Sequence, residues 1–481
     1  MAYSPFHSPL QIPTRVPLIV DLENRDSTLN KDAKLVNCYV EMDQDKNYNL
    51  YRRPGMLQYQ NPPGTTAAGM GVFYWNANVY SIFAGKLYKN GVAVASTVDT
   101  TGGVYSFSSI LGSDPKMVFQ NGVQGYGYDD TAGISANLHS INASYPQYTC
   151  KGLAYLNGAT YVLQHFFGTA ITPAVIWGSK VNSVTVAGDW DPLDFITAQI
   201  EPDSGVYLAK QMVYVVCLKE WTTEIFFDAG NATGSPLQSM QNNKLPYGCA
   251  TQDSVQRIDD SLLWISTSRS ASNQVAMMEG LRIRIISTAE IERLLNQIDL
   301  SVVYSWQIKC NGHSFYVMTI KNANLTLAYD INQNRWSVWT DTNGNYLPIV
   351  ASCRDSAGNH ILQHESNGVL YYGSPNYLDD NTQIFPIQIV TPQFTMNTMR
   401  KKQMGMVSFV GDQVPGSIMS VQVSDDGYQT WSQPRMVDLG MNLPNLPNCG
   451  TFRNRAWKLS VNNNLPWRLQ AMETQLSVGV L

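Results

Sequence analysis

Short runs of Val, Ile, Leu, Tyr and Trp alternate with Asn, Gly and Asp turns along most of this chain. Three stretches show the pattern: Val79-Tyr-Ser-Ile-Phe-Ala-Gly-Lys-Leu-Tyr-Lys-Asn-Gly91, Phe315-Tyr-Val-Met-Thr-Ile320 with Leu325-Thr-Leu-Ala-Tyr-Asp330, and Gly368-Val-Leu-Tyr-Tyr-Gly373. Such runs suit a pleated, half-buried surface, and the turn residues suit hairpins. From about 66 to about 375 the strand-turn-strand units follow one another, with candidate starts near Gly71, Gly103, Lys151, Val206, Gly248, Val302 and Leu347. Four-stranded units repeated every ~40–45 residues are the pattern of a β-propeller. In the unit after Val302, Trp306, Trp336 and Trp339 are placed to wedge between neighbouring blades.

Other segments depart from that texture. Residues 1–65 carry Pro5, Pro9, Pro13, Pro17, Pro54, Pro62 and Pro63, which forbid long regular elements and predict an extended arm with few strands. Residues 287–299 place Ile291, Leu294, Leu295 and Ile298 on one helical face. Ser287 followed by Glu290 reads as a capping box, so one short helix is expected near 288–298. After the polar break at 377–382 the strands lengthen, and residues 385–481 are expected to form a β-sandwich. The expected fold is all-β: a degenerate propeller over 66–375 and a sandwich over 385–481.

Composition narrows the function. Charged residues are only 14% of the 481, and the net charge is −5, which argues against a nucleic-acid-binding face built on basic residues. The seven cysteines are scattered without a CxxC pair, as expected of free thiols in a reducing compartment. The first residues lack the basic and apolar regions of a signal peptide, and no apolar run approaches the ~20 residues of a membrane span. A soluble chain without a membrane anchor is expected.

Candidate chemistry is sparse. Ser424-Asp-Asp-Gly-Tyr-Gln-Thr-Trp431 resembles the Asp box of sialidase-like propellers, with Gly427 one place early. Its expected role is a hairpin turn, with Trp431 anchoring the next strand. Asp259-Asp260, Asp379-Asp380 and Asp425-Asp426 are adjacent pairs, whereas glycoside hydrolysis needs two carboxylates converging across ~5–10 Å. His360 and His364 sit on a strand, where their spacing does not converge on a metal. Gly122–Gly127 reads as a hairpin, not a phosphate loop. Arg400-Lys401-Lys402 is the densest basic cluster, read as a solvated loop at the edge of the C-terminal domain in preference to a contact with phosphate or an acidic neighbour, DNA or protein. Arg282 and Arg284 share one strand face, turned towards a partner chain. No catalytic, cofactor or metal-binding residue is assigned, and the chain is expected not to be an enzyme.

Several motifs in order resemble one family. These are Leu35-Val-Asn-Cys-Tyr-Val-Glu41, Arg52-Arg-Pro-Gly55, Thr223-Glu-Ile-Phe-Phe-Asp-Ala-Gly230, Gly248-Cys-Ala250, Leu262-Leu-Trp-Ile265 and Ile286-Ser-Thr-Ala-Glu-Ile-Glu292. Phe385-Pro-Ile-Gln-Ile389, the Asp-box segment and Arg455-Ala-Trp457 follow them. Together they are similar to the packaged-DNA stabilisation proteins, the tail hub or nozzle subunits of short-tailed bacteriophages. The loop 440–448 departs from that family's pattern.

The resemblance implies a structural virion protein, assembled in the host cytoplasm. It implies a six-fold ring below the portal and the head–tail adaptor, a channel for double-stranded DNA without sequence-specific binding, and a lower face for a tail needle, tip, fibre or spike protein. Six chains of −5 would give a ring of −30, which disfavours tight phosphate binding in a conduit. The alternative is a phage-borne glycan-binding or glycan-degrading propeller of the sialidase-like kind.

Overall fold

The computed structural model describes residues 12–18, 32–42, 47–165, 174–231, 233–240, 245–270 and 273–479. Parts of the expected arm, at 1–11, 19–31 and 43–46, lie outside them. Among the described residues, seven four-stranded antiparallel units occupy 55–374. Their innermost strands begin at Gly69, Ser106, Ala154, Gly205, Gln256, Val303 and Ile349. They are called blades 1 to 7 in that order. Asn-Gly pairs in the left-handed region close two-residue hairpins at Asn90-Gly91, Asn157-Gly158 and Asn311-Gly312. Mirror-image turns of this kind match the twist of the strands they join.

The middle strands of the blades are buried on both faces because each blade is covered by the next, while outer strands such as Val92–Thr97 and Arg282–Ile285 are largely exposed. Ser261–Ser266 and His313–Ile320 are buried almost throughout. Trp336 of blade 6 packs with Leu263 and Ile265 of blade 5, and its indole N–H donates to the Ile286 carbonyl at 2.9 Å. Buried glutamines also join blades. Gln363 of blade 7 receives the Gly71 N–H of blade 1 at 2.6 Å and donates to the Ile82 carbonyl at 2.8 Å. Gln120 of blade 2 donates to the Cys150 and Gly152 carbonyls beside blade 3.

The ring is closed by the chain's beginning. Blade 7 supplies Ile349–Arg354, His360–His364 and Leu370–Ser374, and its outermost strand is Gly55–Gln60. The strands before that one lie in the C-terminal body. One sheet runs Cys38–Met42, Tyr48–Arg52, Arg468–Val478, Lys402–Gly411, Asn445–Phe452, with Ile12–Val16 also against Arg468–Val478. The facing set runs Lys34–Val36, Ile387–Val390, Ala456–Val461, Ile418–Ser424, Arg435–Asp438. Their shared core includes Val16, Leu35, Val40 and Leu50 beside Phe409, Trp457 and Met472. The sandwich expected over 385–481 therefore takes in strands from the first 52 residues. A parallel bridge, Val36 to Val338, joins its second sheet to the outer strand of blade 6.

The expected helix is present as Ala289–Leu295, with Ile291, Leu294 and Leu295 buried. Its capping box is not. Thr288 is the N-cap, and the Ser287 hydroxyl instead receives the Val275 N–H and donates to Glu292. The neighbouring strand wins that serine because a sheet-end amide needs an acceptor as much as a helix-end amide does. A four-residue helix, Leu138–Ile141, is also present.

Candidate functional site: the axial channel and the joint between the two bodies

The inner strands of all seven blades surround an axial channel of about 460 Å³. Its walls are aromatic and hydroxylic, with Phe73, Tyr105, Phe107, Tyr155, Tyr207 and Tyr304 among Ser106, Ser108, Ser305 and Ser352. Phe73 and Phe107 stack with centroids 5.3 Å apart. Among the lining residues the one acid is Asp253, and both its oxygens accept from the Lys151 ammonium, at 2.7 and 2.8 Å. Glycoside hydrolysis by acid–base or nucleophilic carboxylates needs a second carboxylate facing the first.

The acidic pairs of the sequence lie elsewhere and are each engaged. Asp259 pairs with Lys309, and Asp260 lies 4.0 Å from Arg257. Asp379 caps the Thr382 N–H at 3.1 Å. Asp425 forms a two-pronged pair with Arg455, at 2.6 and 2.7 Å. Asp426 is the turn residue of the Asp-box segment. The Thr430 hydroxyl and N–H, then the Ser424 hydroxyl, bond to its carboxylate and hold it down at about 2. Gly427 and Tyr428 both take positive φ, at 74° and 68°. The anchor is Tyr428, not Trp431: Tyr428 is buried with its hydroxyl donating to the Thr391 carbonyl at 3.0 Å, whereas Trp431 is half-buried.

His360 and His364 do not converge on a metal. His360 Nε2 accepts the Lys309 N–H, and His364 Nδ1 accepts the Ser366 and Asn367 N–H groups. Burial, more than any neighbouring charge, pushes both imidazoles down to about 4. All seven cysteines are unpaired and buried, and burial pushes their thiols up, away from thiolate chemistry. Gly122–Gly127 lies in the hairpin joining Lys116–Gln120 to Gly125–Asp129. Arg282 and Arg284 are both exposed; Arg284 donates to the Asn334 side-chain amide oxygen at 3.1 Å and lies 3.6 Å from Glu279.

The basic cluster is not uniformly solvated. Arg400 and Lys401 are exposed, but Lys402 is fully buried. Its ammonium donates to the carbonyls of Thr398, Arg400 and Arg453, at 2.7, 3.0 and 2.7 Å. Three carbonyls match the three protons of an ammonium, so Lys402 fastens its own loop.

Some of the motif residues take part in two buried locks. At the joint between propeller and sandwich, Arg53 is 2% exposed. It donates to Asn37 at 2.9 Å, to the carbonyls of Pro54 and Thr340, both at 2.9 Å, and to both oxygens of Asp380, at 3.1 and 2.5 Å. Its guanidinium lies 3.7 Å over the Phe385 ring. Asn37, at φ 55°, returns bonds to Thr340 and the Pro386 carbonyl. The opening motifs and the Phe385 motif thus meet in one cluster.

The second lock is in blade 4. Lys219 is fully buried, 2.8 Å from Asp203 and 2.5 Å from Glu224. Burial alone would lower its ammonium, but bonds to Asp203 and Glu224 outweigh that and raise it. Asp203 also receives the Trp221 and Thr222 N–H groups, both at 2.9 Å. No sequence signal marked Lys219 or Asp203, because their partners lie 16 and 5 positions apart without helical or strand periodicity.

These features define the class as a β-propeller protein whose buried ion pairs lock the fold. Residues 14–356 match the family described as bacteriophage P22 Gp10, beta-propeller, and the chain belongs to that family. The C-terminal motifs lie beyond the matched residues. No curated protein matches the chain. Among solved structures it is similar to the extracellular domain of a B. thetaiotaomicron hybrid two component system, with TM-score 0.39 and 6% identity over 74% of this chain and 42% of that one. It is also similar to Trypanosoma rangeli sialidase in complex with the inhibitor DANA, with TM-score 0.32 and 8% identity over 96% of each chain.

Proposed function

We propose that this protein is a tail hub or nozzle subunit, one of a six-fold ring below the portal and adaptor that extends the DNA channel, retains packaged DNA and supports the tail tip. The family match over 14–356 carries the reading. The physical character of the chain agrees with it. A propeller closed by the early strand Gly55–Gln60, with one buried ionic lock at the joint of its two bodies and another inside blade 4, suits a part that must resist deformation under load. The channel's one acid is held by a lysine, which favours a structural over a hydrolytic role.

Particles assembled without the protein are expected to package DNA and then lose it. Genome content measured before and after purification tests this. Particles that keep their DNA and infect normally would end the proposal. Purified chain that cleaves a polysaccharide would favour the glycan-degrading alternative.

A further inference from the structure

The axial channel has a charge character opposite to that of the whole chain. Its acid, Asp253, is neutralised by Lys151, but Lys210 of blade 4 and Arg257 of blade 5 also line it. Lys210 is half-buried and has no hydrogen bond or ion pair among the described residues; its ammonium sits 5.7 Å over the Tyr155 ring. Arg257 donates through Nε to the Asp259 carbonyl at 3.1 Å. Its remaining N–H groups have only a loose 4.0 Å approach to Asp260, whose side chain is 83% exposed. Asp259 is itself held by Lys309.

A lysine on an open surface is hydrated and needs no partner. One inside a walled cavity beside an arginine loses part of that hydration and feels a like charge. Burial first, and Arg257 second, lower the Lys210 ammonium. Ser108 and Ser352 stand on the inner strands of blades 2 and 7 and line the same space. Ser352 receives the Gln307 N–H, which leaves its own proton to give. Two cations and neutral hydroxyl donors around one cavity form the complement of an oxyanion.

We propose that the axial channel is an oxyanion site, in which Lys210 and Arg257 hold the carboxylate or phosphate group of a ligand and the channel serines donate to it. The site is independent of the ring proposed above, since it lies on each subunit's own propeller axis.

The test uses the purified full chain and two probes, inorganic phosphate and propionate, titrated at constant ionic strength against chloride. Binding is read by calorimetry and by the melting temperature. Saturable binding in the millimolar range is expected for at least one probe, weakened about tenfold or more in Lys210→Met and in Arg257→Met, the loss expected when a charged partner is removed. Arg282→Met, at an exposed position on the outer strand of blade 5, should bind as the parent does. Phosphate binding alone identifies a phosphate ligand, propionate alone a carboxylate, and both a general oxyanion site. If neither probe saturates, or if both lysine and arginine variants bind as the parent does, the proposal is wrong. Should Lys210→Met fail to fold, the exposed Arg257 decides.

Discussion

Arg53 shows why single residues matter here. Its charge is buried with that of Asp380, and removing one partner strands the other in a low-dielectric joint. Arg53→Met should cost about 3–5 kcal/mol, read as a shift in denaturant midpoint. A change smaller than that of a surface substitution would show that the joint is not held this way. Lys402 makes a sharper contrast, because its neighbour is exposed. Lys402→Met takes the buried ammonium away from three carbonyls, of Thr398, Arg400 and Arg453, and should lower the denaturant midpoint, whereas Lys401→Met should fall within about 0.5 kcal/mol of the parent. His360 and His364 set a pH dependence. Both are held near 4 in the fold, below the ~6.5 of an unfolded histidine, so between those values the unfolded chain binds more protons. Stability should therefore fall as pH drops from 6.5 to 4, by at most about 3 kcal/mol per histidine, and change no further from them below that. Melting scans of the parent and His364→Gln across this window check it; equal slopes would refute the assignment.

At the scale of elements, two motif glycines explain themselves by space. A Cβ at Gly55 would lie 2.3 Å from the Asp379 carbonyl oxygen, and one at Gly248 would lie 2.1 Å from that of Glu220. Both obstacles are backbone and cannot step aside. Gly55 also opens the strand that closes blade 7. Gly55→Ala and Gly248→Ala are expected to lower the melting temperature markedly, while Gly405→Ala, which meets nothing within 4 Å, should not. The blade hairpins were legible in the sequence because Asn-Gly turns and strand runs are local signals. The capping box at Ser287 was misread for the opposite reason: the hydroxyl's partner, Val275, belongs to a strand the helix merely lies beside.

For the whole molecule, the low charged fraction bears on assembly. If the proposed ring forms, few ion pairs are available to hold it, so its contacts must be apolar or neutral hydrogen bonds. Its sedimentation should then change little between low and moderate salt, whereas charge-steered association weakens as the screening length falls below ~10 Å. Dissociation over that range would contradict the proposal.

The sequence by itself determined the strand-rich class, the repeated hairpins, the buried face of one helix and the order of motifs. Each of these is written in spacings of two to four residues, or in turn chemistry a few positions long. Tertiary structure decided the rest. Ile12–Val16 finds its partner in Arg468–Val478, and Gly55–Gln60 finds its partner in Leu370–Ser374, separations at which no periodicity carries information. The same holds for the charges. Arg53, Lys219 and Lys402 look like ordinary surface residues along the chain, and only the fold's closure makes them buried locks. Lys210 reads the same way until seven inner strands surround it. Burial is a property of what the rest of the chain brings near, so it could not be read from the residue's own neighbours.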